Sequence, residues 1–563
     1  SARRFMIKEK IPVGISDFEK IREERCYYVD KTALIREFLE KGAAEVTLIT
    51  RPRRFGKTLA LSMMASFFDI RRDSRPIFEG LEILSERQLC AKWMNQWPVV
   101  FLSFKNVDGM DFLYAYGQLE YEISCLFEKH RYLLESKNIS VPEAELFEKI
   151  RNRQGSAVEV SRSLQLLMQL LNRYCGKKVI LLLDEYDVPL SKASTYNYYS
   201  EMLEIIRAMM ITSLKDNDTL QFAIVSGCLK VSKESIFTGA NNFVSDTITA
   251  SRLDEYFGFT QKDLDRILRD AGAEKHMEEV KRWYDGYHFG ECDVYCPWDV
   301  MNYLRDLQKN PEAKPVEYWR NTSDNAIIRS FIDYAGSSIT GKLEVLLSGG
   351  YIVEPIEENL TYDYLHSSEE NLWSVLYLTG YLTRVREQEL KACLPRGSVA
   401  LVIPNEEVRE IFAATIVRWF GENARTWNRK ALFDAVWEGD TAVINEEMNR
   451  LLRKTISYHD YREDYYHAFL AGIFAGAGYM VESNREHGEG RSDIVISDSE
   501  NGRVAIFEAK CSRTPEDMEP DCDRALHQMA ERGYAENYDD TFRQVFCYGI
   551  AFYKKRCRVE MQA

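Results

Sequence analysis

The chain holds 563 residues, 45% of them hydrophobic and 29% charged, with a formal net charge of −15. That length exceeds one hydrophobic core and predicts roughly three or four domains of about 150 residues each, and the ordinary apolar share excludes long disorder. The acidic balance argues against coating nucleic acid through bulk electrostatics, but leaves room for a local basic groove or for phosphate reached through a divalent cation. The 12 cysteines are scattered with no Cys-x-x-Cys pair, so neither a zinc set nor a disulfide framework is indicated. No signal peptide is recognised and no apolar run approaches a membrane span. A cytoplasmic protein with reduced thiols and no membrane contact is therefore expected.

Residues 11–40 open with Ile11-Pro12-Val13-Gly14. They run through Tyr28-Val29-Asp30-Lys31-Thr32 into the helical pattern Leu34, Ile35, Phe38, Leu39, with Asp30 or Thr32 as cap. Such a lead-in can contact a nucleotide base, or it can be a plain packing helix. Next, Val46-Thr47-Leu48-Ile49 reads as a buried strand, Thr50-Arg51-Pro52-Arg53-Arg54-Phe55-Gly56-Lys57-Thr58 as a tight loop, and 59–68 as a helix. The ending Gly56-Lys57-Thr58 has the form of a phosphate-binding loop. There, N–H groups at a helix N-terminus cradle phosphates, the lysine reaches the β/γ oxygens and the hydroxyl holds Mg²⁺. Arg51 stands where the first glycine is expected, with Pro52 beside it. A surface Gly-Lys-Thr turn is the alternative, and the flanking strand and helix count against it.

Further apolar runs at 98–104, 179–183 and 220–226 are continuous rather than alternating, as in a parallel sheet covered on both faces. Helical stretches near 111–135, 159–174 and 200–214 separate them in a βαβ rhythm. The run at 179–183 ends in Asp184-Glu185. An acid there can hold Mg²⁺ through water and its neighbour can polarise an attacking water. Ser226, ending the next strand, is placed to sense a γ-phosphate.

From about 260 the chain turns helical and aromatic: Trp283-Tyr284-Asp285-Gly286-Tyr287-His288-Phe289, Tyr295-Cys296-Pro297-Trp298, then Tyr318-Trp319-Arg320-Asn321-Thr322-Ser323. Such rings can stack bases; packing between helices is the expectation, given their apolar neighbours. Residues 371–403 give a winged-helix outline: a helix, Gly380-Tyr381-Leu382-Thr383, a strand, a loop with Pro395-Arg396-Gly397 and a second strand. Helices continue to about 455.

A second constellation lies near the C-terminus. An apolar helix at 465–474 precedes a strand at 479–483, then Gly490-Arg491-Ser492-Asp493, a strand, the hairpin signal Asn501-Gly502, and Ala505-Ile506-Phe507-Glu508-Ala509-Lys510. Strand alternation puts Glu508 and Lys510 on one face and Ala509 on the other, and the hairpin returns Asp493 to their end. Two carboxylates converging on one ammonium suit phosphodiester hydrolysis. The acids bind Mg²⁺, and the lysine orients or helps deprotonate the nucleophile. An edge-strand ion pair is the plainer alternative. Downstream, Gln528 and Tyr534 can contact substrate, or their helix only packs on the sheet.

With these residues assembled, the chain resembles the bacterial and archaeal family that pairs an N-terminal AAA-ATPase-like domain with a C-terminal PD-(D/E)XK nuclease domain. The resemblance rests on Tyr28-Val29-Asp30-Lys31-Thr32, on the phosphate loop, on Leu183-Asp184-Glu185-Tyr186-Asp187 and on Lys233-Glu234-Ser235-Ile236-Phe237-Thr238-Gly239. It rests also on Trp283-Tyr284-Asp285-Gly286-Tyr287, Ser323-Asp324-Asn325, Gly380-Tyr381-Leu382-Thr383, Ile403-Pro404-Asn405 and the 490–510 hairpin with Gln528. It implies three segments: an α/β P-loop domain over 1–259, a helical and winged-helix-like middle over 260–455, and a restriction-endonuclease-like α/β domain over 456–563. ATP with Mg²⁺ is implied at Arg54, Phe55, Gly56, Lys57, Thr58, Asp184 and Ser226, with Glu185 catalytic. Thr58 and Asp184 would be metal ligands there. A nuclease centre is implied at Asp493, Glu508 and Lys510, supported by Gln528, with Asp493 and Glu508 as metal ligands. The expected activity is ATP-controlled, Mg²⁺-dependent cleavage of nucleic acid, with DNA the more expected partner and the sequence itself leaving DNA and RNA both open. A homo-oligomer is allowed, and Arg207 and Arg252 are guesses for an arginine finger. Two rivals stay open: a nucleotide-driven switch or scaffold whose nuclease fold binds nucleic acid or protein without cutting, and a nuclease whose ATPase half is inert.

Overall fold

The computed structural model describes residues 5–40, 44–231, 236–237, 243–319, 328–329, 337–360, 369–424, 426–455, 463–485, 492–533, 538 and 540–562. The chain divides into two compact units, Ser1–Trp319 with Val353–Glu407, and Arg320–Ile352 with Val408–Ala563. The segment 260–455 is thus shared between them. The motifs Ser323-Asp324-Asn325 and Gly490-Arg491, with Lys233 to Ser235, Thr238, Gly239 and Tyr534, lie outside the described residues.

In the first unit, β1 (Val46–Thr50), β2 (Val99–Ser103), β3 (Val179–Asp184), β4 (Leu220–Gly227) and β5 (Phe243–Asp246) form an all-parallel sheet in the order β2-β3-β4-β1-β5. Every residue of β1 and β3 is buried, as continuous apolar strands are when both faces are covered. Helix α1 (Lys57–Phe68) lays Leu61, Met64, Phe67 and Phe68 into one core with Leu182, Phe222 and Ile224. The four apolar runs account for β1 to β4. The fifth strand, Phe-Val-Ser-Asp, is too short and too polar to show a period, and it pairs only along the free edge of β1. The order inserts β4 between β1 and β3, so the strand ending near Ser226 separates the phosphate-loop strand from the acid-bearing strand.

The same unit continues through helices Gln261–Ala271 and Met277–Tyr284, the hairpin β6 (Tyr287–Phe289) and β7 (Cys292–Val294), and helix α2 (Pro297–Lys309). Leu264, Ile267, Tyr284, Tyr303 and Leu304 form its core, closed by Ile7 and Ile11. Three short strands, β8 (Ile352–Pro355), β9 (Thr383–Arg384) and β10 (Ser398–Val402), run in the order β8-β10-β9 after and before helix Glu369–Leu378. The helix and two strands of the expected outline are present, and β8 adds a third strand.

In the second unit, β11 (Met480–Arg485), β12 (Ser492–Asp498), β13 (Arg503–Cys511), β14 (Gln544–Tyr553) and β15 (Arg556–Met561) are ordered as numbered. β13 and β14 are parallel and the other pairs antiparallel. The parallel pair needs a crossover, and helix α3 (Met518–Glu531) supplies it. It rides so close that a Cβ on Gly549 of β14 would lie 2.7 Å from the Cys522 carbonyl oxygen. At the Asn501-Gly502 signal, Asp498 pairs with Arg503, so the hairpin loop has four residues. The Asn501 N–H donates to Asp498 Oδ1 at 3.2 Å and Gly502 takes a φ of 64°. The outer edge of β15 is covered. Asn449 and Asn445, one turn apart on helix Thr441–Leu452, each bond both the N–H and the C=O of Cys557 and Val559 respectively, all at 2.9 Å.

Candidate functional site

The phosphate loop turns from β1 into α1 through two left-handed residues, Arg54 at φ 72° and Gly56 at φ 85°. Gly56 is needed for that conformation rather than for space, since a Cβ there would meet nothing within 4 Å. The first-glycine position shows how an arginine is tolerated. Arg51 is fully buried beneath the loop, donating through Nη1 to the Thr50 and Asp246 carbonyl oxygens at 2.8 Å each. Its guanidinium lies 5.3 Å from the Phe257 ring centroid, and burial pulls its pKa down to about 10. The side chain ties the ends of β1 and β5 together and leaves the hollow of the loop clear.

Three elements converge at the top of the sheet. Asp184 is fully buried at the end of β3, and each of its oxygens accepts one hydroxyl: Thr58 Oγ1 from α1 at 2.8 Å and Ser226 Oγ from β4 at 2.6 Å. Lys57 Nζ donates to the Arg51 and Pro52 carbonyl oxygens at 2.9 Å each. Glu185, the next residue, has a φ of 52°, a cost usually borne at functional positions. Burial pushes its carboxyl pKa up, with Lys57 pulling the other way. The adjoining Tyr186 and Asp187 are structural. Tyr186 Oη donates to the Leu229 carbonyl at 2.6 Å and Asp187 accepts from the Cys228 and Leu229 N–H groups at 3.1 and 3.0 Å. Gly227 must stay bare, because a Cβ would lie 2.6 Å from the Tyr186 ring.

A cavity of about 490 Å³ opens over the loop, lined by Gly56, Lys57, Thr58 and Glu185 together with Val13, Tyr28, Trp298 and Met301. Its size falls in the range of small-molecule pockets. The donor set fits a nucleotide with a hard divalent ion: a helix N-terminus and an ammonium for phosphate, a hydroxyl and a carboxylate for Mg²⁺. The lead-in residues Val13 and Tyr28 therefore reach this cavity. Trp298 and Met301 were not singled out for it; Pro297 at the start of α2, after an aromatic run, was the available signal. Arg207 and Arg252 are not among the lining residues, and Arg252 Nη1 lies 3.7 Å from Asp246 Oδ2.

The aromatic run packs as expected, and its target is the loop. The Phe55 ring is fully buried, 4.9 Å from Tyr287 and 5.1 Å from Phe289 by centroids, so only the backbone of this residue is available to a ligand. The Arg54 guanidinium sits 4.2 Å over Trp298. A Cβ on Gly380 would lie 2.9 Å from Pro52, and one on Gly286 only 2.0 Å from the Pro404 carbonyl oxygen. Next to Trp298, Asp299 and Glu407 form a buried acid pair, 0% and 1% exposed. Burial pushes Asp299 up to about 7 and Glu407 well above its ordinary range, and Glu407 Oε1 also accepts the Trp319 N–H at 2.8 Å.

In the second unit, Glu508 and Lys510 share one face of β13, as alternation requires, and Ala509 is buried on the other. Glu508 has no exposed side-chain surface and Lys510 keeps 17%, with Lys510 Nζ 3.4 Å from Glu508 Oε1. The same ammonium donates to Gln528 Oε1 of α3. The β12–β13 register sets Asp493 directly opposite Glu508; the Asp493 side chain lies outside the described residues. The oxygen donors and the adjacent cation fit a divalent ion and a phosphate. Among the described residues, no group of three or more His, Cys, Asp or Glu could hold a metal, and no helix is long and apolar enough to cross a membrane.

Residues 12–237 match the family described as Predicted AAA-ATPase, and residues 461–562 match the PD-(D/E)XK nuclease superfamily. Over its length the chain is similar to an uncharacterized protein in the vnfD 5′ region of Azotobacter chroococcum mcd 1, 26% identical over 563 residues and covering 97% of each chain. No solved structure matches.

Proposed function

We propose that this chain, which carries an AAA-ATPase-like domain and a PD-(D/E)XK nuclease superfamily domain, is a Mg²⁺-dependent nuclease controlled by ATP, acting on DNA in preference to RNA. The observation that carries the nuclease reading is the Lys510 ammonium held between Glu508 and Gln528, with Asp493 opposite Glu508 in register. Asp493 and Glu508 would hold the metal, which supplies water activation and charge neutralisation at the phosphate. Glu508 is shielded from bulk solvent, so a divalent ion and the Lys510 ammonium would be the charges that balance its carboxylate. Gln528 fixes the lysine, whose ammonium orients the attacking water or the phosphate oxygen. On the nucleotide side, Lys57 and the N–H groups at the start of α1 would bind phosphates, Thr58 and Asp184 would hold Mg²⁺, and Ser226 would report the γ-phosphate. Glu185, its proton affinity raised by burial, would orient water. Arg207 and Arg252 do not line the cavity, so a neighbouring copy would supply an arginine finger.

The test uses purified full-length protein with Mg²⁺ and plasmid, linear duplex, single-stranded DNA and RNA, with and without ATP. Asp493→Ala and Lys510→Ala should abolish cutting; cleavage at the wild-type rate by both would refute the nuclease reading. A second reading, an ATPase-like half that binds nucleotide without turnover, is favoured by Arg51 in place of the loop glycine. ATP turnover compared between wild type and Lys57→Ala separates the two.

A further inference from the structure

The geometry points to a backbone-binding surface for duplex DNA at the β14–β15 hairpin, formed by Arg453, Lys554 and Arg556, which steers the substrate across the Glu508–Lys510 end of the sheet. This rests on the nuclease reading and adds where the substrate lies. A groove of about 760 Å³ is lined there by Arg453, Pro515, Tyr553, Lys554, Lys555 and Arg556. Lys555 is paired with Glu344. Arg453, Lys554 and Arg556 are exposed and make no ion pair among the described residues. Beside them, Arg513 is also exposed, Glu519 is paired with Arg558, and Glu516 is an exposed acid.

Three cations without an ion pair among the described residues, Lys554 and Arg556 at the hairpin and Arg453 just past the helix Thr441–Leu452, stand out on a chain of net charge −15, because like charges gathered together repel. Lysines at a sheet edge often serve to block edge-to-edge pairing. That role is already filled here, since Asn445 and Asn449 occupy the open edge of β15. The position is the second argument. β13 and β14 run parallel with Lys510 beside Ala551, and the Ser512 N–H donates to the Phe552 carbonyl at 2.8 Å, so Lys510 and the hairpin tip lie at the same end of the sheet. Arg556 pairs with Tyr553 across β14–β15. Two strand spacings and two residues of rise put its backbone about 12 Å from that of Lys510, on the order of three phosphates along one strand of a duplex. The Tyr553 ring is faced by Lys554 Nζ at 5.3 Å, so the surface offers charge rather than a stacking platform. That favours a duplex backbone over splayed single-stranded bases.

The test measures binding of a fluorescent 20–30 bp duplex (about that length suffices) to the full chain without divalent ions, so that nothing is cut, over a series of salt concentrations. Each phosphate contact contributes about 0.9 to the slope of log K against log salt. Arg453→Ala/Lys554→Ala/Arg556→Ala together should flatten the slope by about 2–3. Arg543→Ala, at the opposite end of β14, should leave it unchanged. A wild-type slope in the triple variant, from a wild-type protein that binds and cuts, overturns the surface while the nuclease reading stands. Flattening in a protein that never cuts supports the surface and removes the nuclease reading. Flattening seen only with RNA duplex or single-stranded DNA overturns the assignment to duplex DNA, and no binding by wild type at low salt overturns both.

Discussion

Replacing Lys510 with methionine tests the buried half of the proposed nuclease centre, because it keeps the stem volume and removes only the ammonium. Glu508 then retains a carboxylate with no exposed surface and loses the cation 3.4 Å away, and Gln528 Oε1 loses a donor. Breaking a buried pair from one side costs about 3–5 kcal/mol; the 17% exposure of Lys510 puts the expected cost at the lower end, about 3 kcal/mol. Chemical denaturation of wild type, Lys510→Met, Glu508→Gln and the double variant, followed by hydrogen exchange in β12–β14 to report this unit alone, measures it. The double variant should be less destabilised than the two single costs added. A Lys510→Met protein as stable as wild type at pH 7, or single costs that add fully in the double variant, would refute the buried-pair account.

Gly56→Ala should cost about 1–2 kcal/mol of stability from its left-handed φ and should weaken ATP binding at least tenfold, read by calorimetry, because the methyl group points into open space over the loop. Unaltered affinity would show that the hollow takes no phosphate. Asp299→Asn should change the pH dependence of melting. With Asp299 raised from 3.8 to about 7, the folded state binds the extra proton in that window. Wild type should therefore gain on the variant as pH falls from 7 towards 4, and a pH-independent difference in Tm would contradict the buried acid pair. Asn449→Ala strips a donor and an acceptor from Cys557, with an expected cost of about 1–3 kcal/mol and a rise in self-association by light scattering as the β15 edge opens. A monodisperse variant of wild-type stability would show the edge to be protected otherwise.

Local order in the chain carried much of the architecture. Four continuous apolar runs mark β1 to β4, because strands covered on both faces need no polar alternation, and Gly56-Lys57-Thr58 between a strand and a helix marks a loop whose backbone must turn there. Glu508 and Lys510 share a face because side chains alternate along a strand, but the register was not legible: a two-residue turn at Asn501-Gly502 would set Asp493 opposite Lys510, and the longer loop that forms instead sets it opposite Glu508. β5 was hidden because four residues with two polar side chains have no period, and β8 for the same want of length.

What remained was set by contacts between residues far apart in the chain. Nothing near Phe55 announces that Tyr287 and Phe289 seat its ring, nor that Pro52 meets Gly380, nor that Arg54 lies on Trp298. Nor does Arg51 reveal that its charge runs beneath the loop to the Asp246 carbonyl. Backbone periodicity and turn chemistry act over a few residues, so the order of residues by itself determined β1 to β4, the phosphate loop and the shared face of Glu508 and Lys510. The clasp around the loop depends on close packing between residues hundreds of positions apart, and the meeting of Arg453 with Lys554 and Arg556 depends on how a helix end and a hairpin come together, so only the tertiary structure could decide them.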